Sequence, residues 1–175
     1  MNEFSLVTAP EFYQGYLENA KARKVSTALR SNNRTFRKFL KSIPKKKWDH
    51  AYADGKWTVK QVIQHVLDAE RVFCLRALWF ARQPDSVLPG FDENKWATQA
   101  TAAEREPREI IKEFISLRRA TQLMFETFTT EELQRKGIIE GNPVSVAALG
   151  YITAGHTGHH LNILLERYME KSPIH

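Results

Sequence analysis

The sequence predicts an all-α fold built as a four-helix bundle, with an additional short helix or two in the connections. Three observations predict it. Four segments of about 20 to 27 residues carry apolar side chains at a spacing near 3.6, the period of a helix with one buried face. Turn formers rather than strand-like alternation separate them, and no repeat or linker divides the chain, so residues 1–175 read as a single domain. With 42% hydrophobic and 11% aromatic residues, the chain holds enough apolar material for a real core.

A short helix around Glu11 to Asn19 is expected first. The first long helix follows, its stripe made of Val25, Leu29, Phe36, Phe39, Leu40 and Ile43, and Pro44 ends it. The second opens on a recognisable device: Thr58 can cap, Gln61 can reach back to it, and Trp57 can pack on Val62. It should run to about Arg82. The turn formers of Leu88-Pro89-Gly90-Phe91-Asp92 then carry the chain over the bundle end as a candidate site rim, before a short segment near Glu93 to Thr101. Pro107 suits the first turn of the third long helix, whose stripe is Ile110, Ile111, Phe114, Leu117, Thr121, Met124, Phe125 and Phe128. Asn142 and Pro143 read as the cap and first position of a last helix from Val144 to about Met169.

The net charge of +6 is unevenly spread, because Lys21 to Lys47 holds eleven Lys or Arg residues and no Asp or Glu. A nucleic-acid surface is one reading of that run. A solvated helix face is the better one, since no zinc-finger, RNA-binding or helix-turn-helix signature accompanies it. The apolar stretch Val62 to Ala81 is broken by His65, Asp68, Glu70, Arg71 and Arg76, which excludes a membrane span there, and the first residues lack the pattern of a secretory signal. A cytoplasmic protein is expected. The single cysteine, Cys74, agrees with a reducing compartment and reads as a packing residue. Nucleotide-binding glycine loops, a serine-hydrolase elbow and His-Glu-x-x-His are all missing from the sequence.

The histidines carry the chemistry. At 3.6 residues per turn His156 and His160 fall about 40° apart, inside the stripe of Leu149, Ile152, Thr153, Ile163 and Leu164. Their Cβ atoms are then about 5–6 Å apart, which suits adjacent corners of one coordination sphere. Buried imidazoles left unsatisfied are costly, and a metal removes that cost. His65, flanking the stripe of Val62, Val66, Ala69 and Phe73, is the strongest candidate for a third ligand. His159 lies about 60° to the side of His156 and suits a supporting or rim role. Asn32, polar inside an apolar stripe, and Arg76, sharing a helix edge with His65, are candidate pocket residues. Their competing readings are a satisfied bundle amide for Asn32 and an ion pair with Glu166 or another acid for Arg76. His50 and His175 read as loop and tail residues. Three imidazoles suit zinc, nickel, copper and iron alike.

The run from Gly55 to Arg71, then Arg76-Ala77 with Ala81-Arg82, Leu88 to Asp92, Gly141 to Ser145, and Ala154-Gly155-His156 through His160-Leu161 resemble, in this order, the DinB/YfiT superfamily. The resemblance implies a four-helix bundle, frequently a homodimer, with one divalent metal ion, usually zinc or nickel, held by three histidines that map onto His65, His156 and His160. It also implies candidate hydrolases and thiol S-transferases that use low-molecular-weight thiols such as bacillithiol. A metal-dependent enzyme acting on a small molecule is therefore expected, with no catalytic side chain identified beyond the ion's open position. Thiol transfer is preferred because neither histidine motif contains a carboxylate to act as base for water. Hydrolysis by metal-activated water and a non-enzymatic, stress-related metal-binding protein are the alternatives.

Overall fold

The computed structural model describes residues 2–169. In chain order they form α1 (Gln14–Asn19), α2 (Val25–Ser42), α3 (Val59–Arg82), β1 (Val87–Leu88), α4 (Glu93–Gln99), α5 (Pro107–Thr127), α6 (Thr130–Gln134), β2 (Lys136–Ile139), β3 (Asn142–Ser145) and α7 (Val146–Ile163). The long helices α2, α3, α5 and α7 make the four-helix bundle. Helix α7 is its most buried member: every residue from Val146 to Thr157 is inside.

Local chemistry sets the helix ends. At α3 the capping box is complete, with Gln61 N–H donating to Thr58 Oγ1 at 3.3 Å and Thr58 N–H donating to Gln61 Oε1 at 2.8 Å, and Trp57 packs beside the cluster that contains Val62. Helix α5 starts at Pro107, where a missing N–H costs nothing. The expected short helix near Glu11 is a 3-10 turn over Glu11–Tyr13 that passes into α1.

Two expectations fail. The chain does contain strands: β1 pairs parallel to β2, and β2 and β3 form an antiparallel hairpin. Strands of two to four residues are too short to leave a readable alternation. Asn142 and Pro143 accordingly lie in β3 and do not start the last helix. Positive φ at Glu140 (49°) and Gly141 (79°) makes the tight hairpin turn, and Pro143 is tolerated because β3 is the edge strand of the sheet among the described residues. Ser145 caps α7 instead, its Oγ accepting from Ala148 N–H at 3.1 Å. That helix also ends earlier than expected, passing at Leu164–Tyr168 into a π-helical turn.

The core has two apolar halves. One packs Leu29, Phe73, Phe80, Phe125, Leu149 and Ile152, and the other Phe36, Leu40, Ile63, Leu67, Ile110, Phe114 and Leu161. A polar layer divides them. Arg118 on α5 and Glu70 on α3, with side chains 0% and 1% exposed, form a forked ion pair: Arg118 Nε donates to Glu70 Oε1 at 2.9 Å and Nη2 to Oε2 at 2.8 Å. Arg118 also donates to Asn32 Oδ1 on α2 and to Thr157 Oγ1 on α7, each at 2.8 Å, while Thr121 Oγ1 donates to Glu70 Oε1 at 2.7 Å. One guanidinium thus ties together all four bundle helices. Among the described residues no helix is long and apolar enough to cross a membrane.

Candidate metal centre

The same level of the bundle holds the histidines. α3 delivers His65 and α7 delivers His156 and His160 one turn apart, so that their Nε2 atoms converge. His65 Nε2 lies 3.0 Å and His160 Nε2 3.1 Å from His156 Nε2, and the three ligand atoms all fall within 4.8 Å of one another. Tyr16, on α1, meets His156 edge to face at 5.4 Å, Phe73 meets it at 5.6 Å, and Trp57 covers His65 at 5.1 Å. Gly155 makes the α1 contact possible: a Cβ there would sit 1.8 Å from the backbone oxygen of Tyr16.

The donor set fits a divalent cation. Burial pushes the His65 imidazole down to about 4, against a small opposing effect of Glu93, and the His160 imidazole down to about 3. His156, buried and then crowded by the other histidines, is held well below the ordinary imidazole value. All three are therefore neutral at physiological pH and can offer a lone pair. A neutral ring has one N–H and one lone pair, so His156 Nε2 cannot satisfy two imidazole nitrogens at once, and His160 Nδ1 is buried without a partner. An ion at the point of convergence resolves the crowding at the three Nε2 atoms.

The centre opens into a cavity of about 440 Å³. Its walls include Tyr13 and Tyr16, Trp57, Phe73, and Gly90 and Phe91 of the expected rim loop. His159 lines it too, half-buried and packed edge-on against Tyr16 at 5.4 Å. Arg76 lines it, but among the described residues the ion pair expected with Glu166 or another acid does not form: its Nη2 donates to the Pro89 carbonyl at 2.6 Å. Asn32 lies away from this cavity, in the polar layer with Arg118, where it serves as a satisfied bundle amide. Cys74 is also outside the cavity; burial, with the Glu70 charge adding to it, pushes its thiol up to about 12 and leaves it inert. His175 lies outside the described residues, and His50 follows the 3-10 turn after α2.

Sequence reasoning missed Glu93 and Glu140, which the fold brings to the cavity wall from the start of α4 and the tip of the β2–β3 turn. Nothing in the histidine motifs signals them. The buried pair Glu70–Arg118 was legible in part: each charge stands within an apolar stripe, four residues after Val66 and Phe114 respectively.

A helical bundle with three converging neutral imidazoles at the floor of an aromatic cavity defines a protein with a metal-competent histidine centre. The chain belongs to the DinB superfamily, whose signature matches residues 28–164. It is 34% identical over 110 residues to a candidate metal-dependent hydrolase of Geobacillus thermodenitrificans, a match covering 62% of this chain and 60% of that protein. A second candidate metal-dependent hydrolase, from Geobacillus kaustophilus, is 30% identical over 113 residues, covering 62% of each. The chain thus spans about three fifths of the length of these relatives. Two solved structures share the fold. YfiT from Bacillus subtilis, described as a candidate metal-dependent hydrolase with an unusual four-helix bundle topology, superposes with a TM-score of 0.69 at 16% identity over 91% of this chain and 87% of that one. YjoA, a DinB-like protein of the same organism, superposes with a TM-score of 0.58 at 19% identity over 86% of this chain and 94% of that one.

Proposed function

We propose that the protein is a metal-dependent hydrolase in which His65, His156 and His160 hold one divalent ion, zinc or nickel. The convergence of the three Nε2 atoms beneath an open cavity carries this reading. Bound by these three histidines, such an ion would supply Lewis acidity and would lower the pKa of water toward about 7. The chain's own residues do the rest. The role of taking the proton from the attacking water falls to Glu93, a carboxylate that lines the same cavity as the three histidines. The rings of Tyr16, Trp57 and Phe73 limit solvent at the histidines. Transfer to a low-molecular-weight thiol would use the same ion, but the preference for it came from the missing carboxylate, and the cavity supplies two.

Glu93→Gln is expected to lower the turnover of a chromogenic ester by about 10²–10⁴-fold while leaving metal content per chain unchanged. A chlorodinitrobenzene assay with several thiols provides the contrast. Conjugation that needs the histidines and proceeds undiminished in Glu93→Gln would replace hydrolysis by thiol transfer.

We place the protein in the cytoplasm as a homodimer. Leu75, Leu78 and Trp79, at 57%, 41% and 43% exposure, share one outward face of α3 by their spacing and offer an apolar contact. Of Trp79, Phe80 and Trp96, the aromatics that the sequence suggests for such a contact, Trp79 and Trp96 are exposed and Phe80 is fully buried. Light scattering should give a mass near twice 20.2 kDa, and Leu78→Glu should return it to one chain; a wild-type mass of one chain at micromolar concentration rejects the dimer.

A further inference from the structure

Among the described residues four charged side chains are buried, and three of them are paired: Lys60 with Asp49, and Glu70 with Arg118. Arg76, only 4% exposed, is the fourth and forms no ion pair. A guanidinium has five N–H donors, and only the 2.6 Å bond to the Pro89 carbonyl uses one. Phe91 packs 5.6 Å from its charge and holds it in place. None of its remaining nitrogens is a buried atom left without a partner, so the guanidinium opens onto the cavity, where a bound anion can reach it.

Arg76 also lines the cavity of the three histidines. Tyr13 and Glu140 line the same cavity and act electrostatically on the guanidinium, and Glu140, whose carboxylate lies against Gly90 at the hairpin tip, forms no ion pair with it. Glu93 and Glu140 already bring two negative charges to the wall, so a monoanion is better accommodated than a dianion. A carboxylate is the monoanion whose planar shape matches a guanidinium fork. The remaining wall is aromatic.

Resting on the reading of this cavity as the active site, we propose that the substrate is a carboxylate with an apolar body, its carboxylate docked on Arg76 and its scissile group at the histidine end. Arg76 is then the specificity-determining residue, selecting anionic over neutral compounds of the same shape. Orientation follows from the same contact.

Benzoate and its neutral isostere benzamide, titrated calorimetrically into the full chain with and without zinc, provide the test. Benzoate should bind about tenfold or more tighter than benzamide, and Arg76→Gln should remove that difference by weakening benzoate alone. Arg76→Lys, which keeps the charge but loses the fork, should fall between. Glu140→Gln should strengthen benzoate binding by removing a competing charge. Stripping the zinc, or His160→Ala, should leave the benzoate preference in place, which separates docking on Arg76 from coordination to the ion. Equal binding of the two probes overturns the proposal. So does unchanged benzoate affinity in an Arg76→Gln or Arg76→Lys chain whose circular dichroism matches the wild type, or a preference that vanishes with the zinc. Loss of the hydrolase reading would show in the Glu93→Gln assays and leave these affinities untouched.

Discussion

Replacing His65, His156 or His160 by Ala is expected to abolish tight metal binding, whereas His159→Ala is expected to weaken it by about 10–100-fold at most. The geometry dictates the difference. Three Nε2 atoms share one point, with His156 at 3.0 and 3.1 Å from its neighbours, while His159 packs its ring on Tyr16 beside them. The bundle survives each change because its apolar halves lie above and below the site. Thermal stability in the presence of metal does fall, since an ion that binds only the folded chain contributes about 2.7 kcal/mol when present at a hundredfold over its Kd. Metal content per chain, on protein prepared without nickel resin, and melting temperature across the four variants check this and identify the metal. If His159→Ala loses the ion while His160→Ala keeps it, the ligand pair on α7 is wrong.

The second large effect lies in the polar layer. Arg118→Met is expected to destabilise the fold by about 3–5 kcal/mol, because Glu70 would remain as an uncompensated charge 1% exposed. For a chain of this length that lowers the melting temperature by roughly 6–20 °C, and it consumes a large part of an ordinary domain's stability. Glu70→Leu should cost a similar amount by stranding the guanidinium. The double variant Glu70→Leu with Arg118→Met should recover most of the loss, since replacing both charges removes their desolvation as well as their attraction. Denaturant melts of the two single variants and the double form a cycle. Additive losses in the double variant would show that the pair is not coupled.

Much of this architecture can be read from spacing. The stripes of α2, α3 and α5 have the helical period over many turns, and the capping box at Thr58 marks a helix start by chemistry rather than by average preference. The one-faced stripe expected of α7 fails, because that helix is buried on every side from Val146 to Thr157. The i, i+4 pair His156 and His160 was legible for the same reason. What escaped depends on tertiary placement. The β2–β3 hairpin occupies so few residues that Asn142-Pro143 reads equally well as a helix start, and only the positive φ of Glu140 and Gly141 decides between them. Glu93 and Glu140 reach the cavity from segments far from either histidine motif. Arg76 looked like half of an ion pair because most buried charges are paired; that it has no acidic partner among the described residues is visible only in the folded chain.

The position of α7 in the chain has a consequence for biosynthesis. It is translated after α1, α2 and α3, which pack against it, and it supplies Val146, Leu149, Tyr151 and Ile152 to one apolar half, Leu161 to the other, and two of the three imidazoles. Until it emerges from the ribosome, the apolar faces of α2, α3 and α5 have no shared partner, and α1 has no Gly155 to lie against. Folding therefore waits on contacts of long sequence separation, such as Tyr16 with His156 and His65 with His156, which delay collapse and lengthen the exposure of aggregation-prone surface.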